Sequence, residues 1–95
     1  MNLWTFIADF SGGTYIVQCS ANTLRDALRW YAVNQPHQDF FQLEGIADDV
    51  DFLDAVPITG TESVWCTSAL DTKTENLVSL NIILTRTQAN LERQV

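Results

Sequence analysis

The chain has 95 residues, an apolar fraction of 46% and a formal net charge of −7. This length predicts a single domain whose core needs no metal or disulfide for stability. The negative charge argues against nucleic acid or an anionic membrane as a direct partner. No basic segment precedes the apolar N-terminus, and no apolar stretch approaches the ~20 residues of a membrane-spanning helix, so we expect a soluble cytoplasmic protein.

The N-terminal part of the chain predicts a β-hairpin. Apolar residues alternate over residues 3–10, which is typical of a strand with one buried face, and β character resumes over residues 14–19. Between them, Ser11, Gly12 and Gly13 tolerate the positive φ angles of a tight turn. We therefore expect two antiparallel strands.

A helix is predicted after this hairpin. Asn22 or Thr23 can cap its N-terminus, and Pro36 prevents its continuation. Apolar residues recur between them at the spacing of one helix face, namely Leu24, Ala27, Leu28, Tyr31 and Ala32.

The second half of the chain predicts a short helix and a second hairpin. Val50 and Leu53 have helical spacing with Ile46, which predicts a helix over residues 47–54 with Val50 and Leu53 facing inward. Residues 63–70 and 77–85 predict two strands joined by a polar loop.

Together these elements predict an α+β fold in the order β-β-α-(α)-β-β. Two hairpins form a four-stranded antiparallel sheet, and the first helix packs on one sheet face. Residues 88–95 are predicted to be a frayed tail. The other sheet face carries Leu3, Ile7, Ile16 and Ile83, so we expect it to pack on the second helix or to form a dimer or partner surface.

We expect no enzymatic activity and no cofactor or metal site. His37 is the sole histidine, is adjacent to no nucleophile motif, and is predicted to lie at the surface. Cys19 and Cys66 have no C-x-x-C spacing and are predicted to be reduced core residues. The carboxylates of residues 48–54 lack the central glycine and terminal glutamate of a calcium loop.

The acidic residues are concentrated in the middle of the chain. Between Trp30 and Thr72 there are eight acidic and no basic residues, hence −8, whereas the remainder has five basic and four acidic residues, hence +1. Such a field attracts a basic partner, although acidity also serves solubility alone. The candidate partner-binding residues are these carboxylates and nearby aromatic residues: Trp30, Asp39, Phe40, Phe41, Glu44, Asp48, Asp49, Asp51 and Asp54.

Three parts of the chain resemble small uncharacterised bacterial proteins, some of which are similar to immunity proteins of contact-dependent toxin systems. These parts are residues 10–16 (FSGGTYI), the helix with Trp30, and the hairpin with Val64-Trp65-Cys66 and Ile82-Ile83. The resemblance rests on structural positions, and no binding residue is transferred from it. It implies a cytoplasmic inhibitor that occludes the active site of a toxin or a surface that its activation requires. The acidic charge favours a basic toxin domain, such as a nuclease, as the partner. The alternative is a structural or adaptor subunit, or a homodimer, without an inhibitory role.

Overall fold

A computed structural model describes residues 1–87 of the chain. The predicted C-terminal tail lies outside these residues. The described elements are β1 (Asn2–Phe10), β2 (Gly13–Ala21), α1 (Leu24–Asn34), a 3₁₀ turn (Ile46–Asp48), α2 (Val50–Leu53), β3 (Val56–Pro57), β4 (Val64–Leu70) and β5 (Leu77–Arg86).

The strands form one antiparallel sheet in the order β2-β1-β5-β4-β3. The predicted α+β class with an antiparallel sheet is confirmed, but the described sheet has five strands and not four. The additional strand is β3, which pairs only with Trp65 and Cys66 of β4. Pro57 of β3 has no N–H to donate, which suits its place at the edge of the sheet.

The turn between β1 and β2 explains the close pairing of the first hairpin. Phe10 pairs with Gly13, so only two residues connect the strands. Ser11 and Gly12 have φ angles of 47° and 83°. Two consecutive positive φ angles give a turn whose twist matches that of the paired strands.

α1 lies on one face of the sheet and forms the core with it. Thr23 caps this helix by accepting a hydrogen bond from the Asp26 N–H at 3.1 Å. Tyr31 of α1 stacks on Phe6 of β1 with ring centroids 4.8 Å apart. The buried residues of α1 are Ala27, Leu28, Tyr31 and Ala32, all on the predicted inward side of the helix. The buried sheet residues include Trp4, Phe6, Ala8, Val78, Leu80 and Ile82.

The segment predicted as a helix over residues 47–54 is divided into the 3₁₀ turn and the four-residue α2. Asp49 separates them, because its backbone is extended and its carboxylate accepts hydrogen bonds from the N–H groups of Asp51 and Phe52. This cap starts a new helix and resets the helical phase. Phe52 and Leu53 are therefore buried, whereas Val50 is 63% exposed, and the predicted inward orientation of Val50 is wrong.

Gln35 ends α1 in a left-handed conformation, with φ of 46°. Its side-chain amide donates to the carbonyls of Ala32 and Leu43, at 2.7 and 2.9 Å. Its side-chain oxygen accepts the Leu43 N–H at 3.0 Å. Gln35 thus holds the chain that follows α1 against the helix, which offsets the cost of a positive φ in a residue with a side chain.

The opposite sheet face is covered by no helix within residues 1–87. We call this surface the open face; it carries the outward side chains of the strands, including Leu3, Ile7, Ile16 and Ile83. The 3₁₀ turn and α2 pack beside α1 and not on the open face. None of the described helices is long and apolar enough to cross a membrane.

The two cysteines lie on opposite faces of the sheet. Cys19 is buried on β2, and burial raises the pKa of its thiol to about 11. Cys66 is exposed on β4, so the prediction that it is a core residue is wrong. Because β1 and β5 separate their strands, at about 4.8 Å per strand, the two thiols cannot form a disulfide within one chain.

We predict that Gln35→Ala lowers the free energy of unfolding by about 2–3 kcal/mol, because it leaves the backbone groups of Leu43 without their hydrogen bonds. Gln38→Ala, at a nearby exposed position, is the control and is expected to have little effect. Urea unfolding of both variants measures the difference. Equal stabilities would contradict the role given to Gln35.

Candidate functional site

The exposed carboxylates between residues 39 and 54 form the candidate site. We call this set the acidic surface; its members are Asp39, Glu44, Asp48, Asp49, Asp51 and Asp54, and all are exposed. The segment runs from the end of α1 through the 3₁₀ turn and α2, both of which pack beside α1. The acidic surface therefore lies mainly on the helical side of the sheet. At the β4 edge, Asp51 and Asp54 also line a cleft with Cys66 and Asn81 of β4 and β5.

Two of these carboxylates are already engaged. Asp54 accepts a hydrogen bond from Arg25 of α1 at 2.5 Å, in an ion pair that is exposed on both sides. An exposed pair of this kind contributes at most about 1 kcal/mol. Asp49 caps α2.

The other four carboxylates, on Asp39, Glu44, Asp48 and Asp51, make no hydrogen bond or ion pair with any described residue. Their negative charges are consequently available to a partner.

The three candidate aromatic residues occupy different environments. Phe40 is 57% exposed and stacks on Tyr15 with ring centroids 4.4 Å apart. Phe41 is only 3% exposed and belongs to the core. The prediction that Phe41 binds a partner at the surface is therefore wrong. Trp30 is half-buried, with its ring 6.4 Å from that of Phe6.

Val50 is an exposed apolar residue of the same segment that the helical spacing assigned to the core. It lies between Asp49 and Asp51 on the acidic surface. Phe40 and Val50 are therefore the two apolar side chains that the structure places within the acidic surface.

Asp71 is an acidic residue of the same charge-rich segment, but its role is structural. It is buried and accepts hydrogen bonds from the Gln42 N–H at 2.9 Å and from the Thr74 N–H and hydroxyl at 3.0 and 2.7 Å. These hydrogen bonds lower the pKa of the Asp71 carboxyl, and the bond from the Gln42 N–H has the largest effect. Asp71 thus attaches the segment to the β4–β5 loop and offers no charge to a partner.

His37, which was predicted to lie at the surface, is half-buried. Its Nδ1 lies 2.8 Å from the Tyr31 hydroxyl, and its ring centroid lies 5.7 Å from that of Tyr15 on β2. Burial lowers the pKa of His37, and the backbone of Ile16 partly opposes this shift. The ring connects α1 to β2, and no hydroxyl or thiol nucleophile of Ser or Cys hydrogen-bonds it within residues 1–87.

A cleft of about 330 Å³ lies between the C-terminal end of α1 and the chain that follows it. Gln35, Gln38, Gln42 and Glu44 contribute its polar groups. Over residues 1–87, no group of three or more His, Cys, Asp or Glu residues is arranged to hold a metal ion. The geometry thus offers exposed charge and exposed apolar side chains for recognition.

Comparison of the chain with protein-family models, with curated proteins and with solved structures gave no match.

We predict that Phe41→Ala and Phe40→Ala have very different effects on stability. Phe41→Ala removes a core side chain and should cost about 3–5 kcal/mol of unfolding free energy. Phe40→Ala removes only a stacking contact with Tyr15 and should cost about 1 kcal/mol or less. Thermal and urea unfolding compare the two. A larger loss for Phe40→Ala would contradict the assignment of Phe41 to the core.

Proposed function

We propose that this chain is an inhibitor that binds a basic protein through the acidic surface, in the manner of an immunity protein that neutralises a toxin domain. The observation that carries the proposal is the set of four exposed carboxylates, on Asp39, Glu44, Asp48 and Asp51, that have no hydrogen-bond or ion-pair partner among residues 1–87. The proposal includes a cytoplasmic location, where such a toxin would act, and no enzymatic role.

Electrostatics supports a basic partner. Fields of opposite sign raise the rate of association by about 10–10³-fold, which favours an inhibitor that must bind its target quickly. A toxin that cleaves nucleic acid presents a basic cleft to phosphates, and carboxylates can occupy the same cleft. Nucleic acid itself would be repelled by the acidic surface.

Affinity requires desolvated apolar contacts in addition to charge. Phe40 and Val50 are exposed within the acidic surface and are the anchors that we assign to the interface. A few such side chains supply most of the binding energy in protein interfaces, and charges at the rim mainly supply speed and specificity. The carboxylates of Asp39 and Asp51 are adjacent in sequence to these anchors and are assigned to the rim.

The test is a capture experiment with two charge-reversed variants of equal net charge. The site variant replaces Asp39, Glu44, Asp48 and Asp51 by Lys, and it keeps both the Asp49 cap and the Arg25–Asp54 ion pair. The control variant replaces four exposed acidic residues outside the acidic surface by Lys, namely Asp9, Asp26, Glu62 and Glu75. Each variant changes the net charge from −7 by +8, to +1.

We expect the wild-type protein and the control variant to capture the same basic protein, and the site variant to lose it while retaining its circular dichroism spectrum. The association rate of the recovered complex should fall steeply as salt is added. If both variants lost capture equally, net charge alone would explain the loss, and this result would contradict an interface at the acidic surface.

A further inference from the structure

The open face is nearly free of charge on a chain that carries −7. Within residues 1–87, the charged side chains that the strands direct to it are Asp9, near one end of β1, and Arg86, at the opposite end of the sheet. Midway along the edge strand β2, Ile16 is 61% exposed. Two copies of the chain repel each other on their acidic sides. On the open face, like-charge contact is confined to the β4 edge, where Asp51 and Asp54 line a cleft with Cys66 and Asn81.

Several polar side chains of the open face are hydrogen-bonded to one another. Gln18 donates to the Thr5 hydroxyl at 2.9 Å, and that hydroxyl also contacts the hydroxyl of Thr85. Thr14 donates to Asp9 at 2.8 Å. Because these groups have partners within the face, covering them costs less than covering groups that depend on water.

The edges of the sheet are less suited to self-association than the open face. β3 covers part of the β4 edge, and Pro57 places a residue without an N–H there. His37 packs against the edge strand β2, with its ring centroid 5.7 Å from that of Tyr15. Both edges are thus partly occupied by the chain itself.

The register of the sheet indicates where a two-fold axis between two copies of the chain can lie. Ile16, Ile7, Asn81 and Cys66 are paired in turn across four strands and form a row near the middle of the open face. A two-fold axis along this row places each of these residues opposite its own copy. It also reverses the strand direction, so that Asp9 of one copy lies toward the Arg86 end of the other. Asn81 can both donate to and accept from Asn81 of the second copy.

The size of the open face meets the requirement of a weak dimer. Four strands at about 4.8 Å spacing and roughly eight residues at 3.3 Å give a planar area of about 500 Å² per copy. Two copies therefore bury about 1,000 Å² in total, a planar value that leaves out the additional area of protruding side chains. About 1,000 Å² is the lower limit for a specific interface.

We propose that the open face binds a second copy of this chain, in a two-fold dimer of stacked sheets centred on the row from Ile16 to Cys66. The stacked sheets would lie about 10 Å apart with their strands within about 30° of each other. This proposal does not depend on the inhibitor function, because the dimer is centred on strand residues and not on the carboxylates of residues 39–51.

Sedimentation equilibrium tests the dimer from about 1 µM to about 1 mM, the range of weak protein affinities. Ile16→Asp and Asn81→Asp each place two carboxylates opposite each other in the dimer, and Asn81→Asp is nearly isosteric. Val33→Asp is the matched control, because Val33 is 70% exposed on α1.

We expect wild type and Val33→Asp to dimerise with concentration, and the two open-face variants to raise the dimer dissociation constant by at least ~10-fold. A wild-type protein that stays monomeric throughout, or a dimer that both open-face variants leave unchanged, would overturn the proposal.

Thiol cross-linking tests the two-fold axis in the same samples. A short bismaleimide should join two chains through the exposed Cys66, and Cys66→Ser should abolish the product without dissociating the dimer. The buried Cys19 thiol has a pKa of about 11 and should not react. A dimer that gives no Cys66 product would overturn the proposed axis.

Discussion

The pairing of β1 with β5 is the constraint on which the rest of the structure depends. It joins the first hairpin to the second over a register from Leu3–Arg86 to Asp9–Ser79. Without it, the chain would contain separate hairpins, which are marginally stable in water. The pairing also places the most buried strand residues side by side at the centre of the sheet, among them Phe6 and Ile82, and so creates the continuous apolar face on which α1 packs.

The two sides of this sheet differ in charge because the connections between the hairpins remain on one side. Gln35 holds the segment after α1 at Leu43, and Asp71 holds it at Gln42. The segment then continues beside α1 as the 3₁₀ turn and α2, with its carboxylates directed to solvent. The opposite side retains uncharged strand side chains over most of its area. The chain can therefore present an acidic surface to one partner while a different surface contacts a second copy.

Local patterns were sufficient to predict both hairpins and α1, since alternation and helical spacing directly reflect burial in regular elements. The strand β3 was missed because two residues with a proline carry no periodicity. The phase of α2 depended on the Asp49 cap, which reversed the orientation of Val50. Nothing local distinguishes Phe40 from Phe41, because long-range contacts decide which ring enters the core. For the same reason, the burial of Asp71 could not be predicted from its position among exposed carboxylates.

The central claim is that two separate surfaces of this sheet have different partners, and amide spectra of isotope-labelled protein test it directly. A lysine-rich peptide added at low salt should shift the amides of residues 39–48 and leave those of Ile7 and Ile16, on the β1 and β2 side of the open face, unchanged. Dilution of the protein alone should shift this second set and leave the first unchanged. Shifts of both sets in each experiment, or of the acidic surface on dilution, would contradict the separation of the two surfaces.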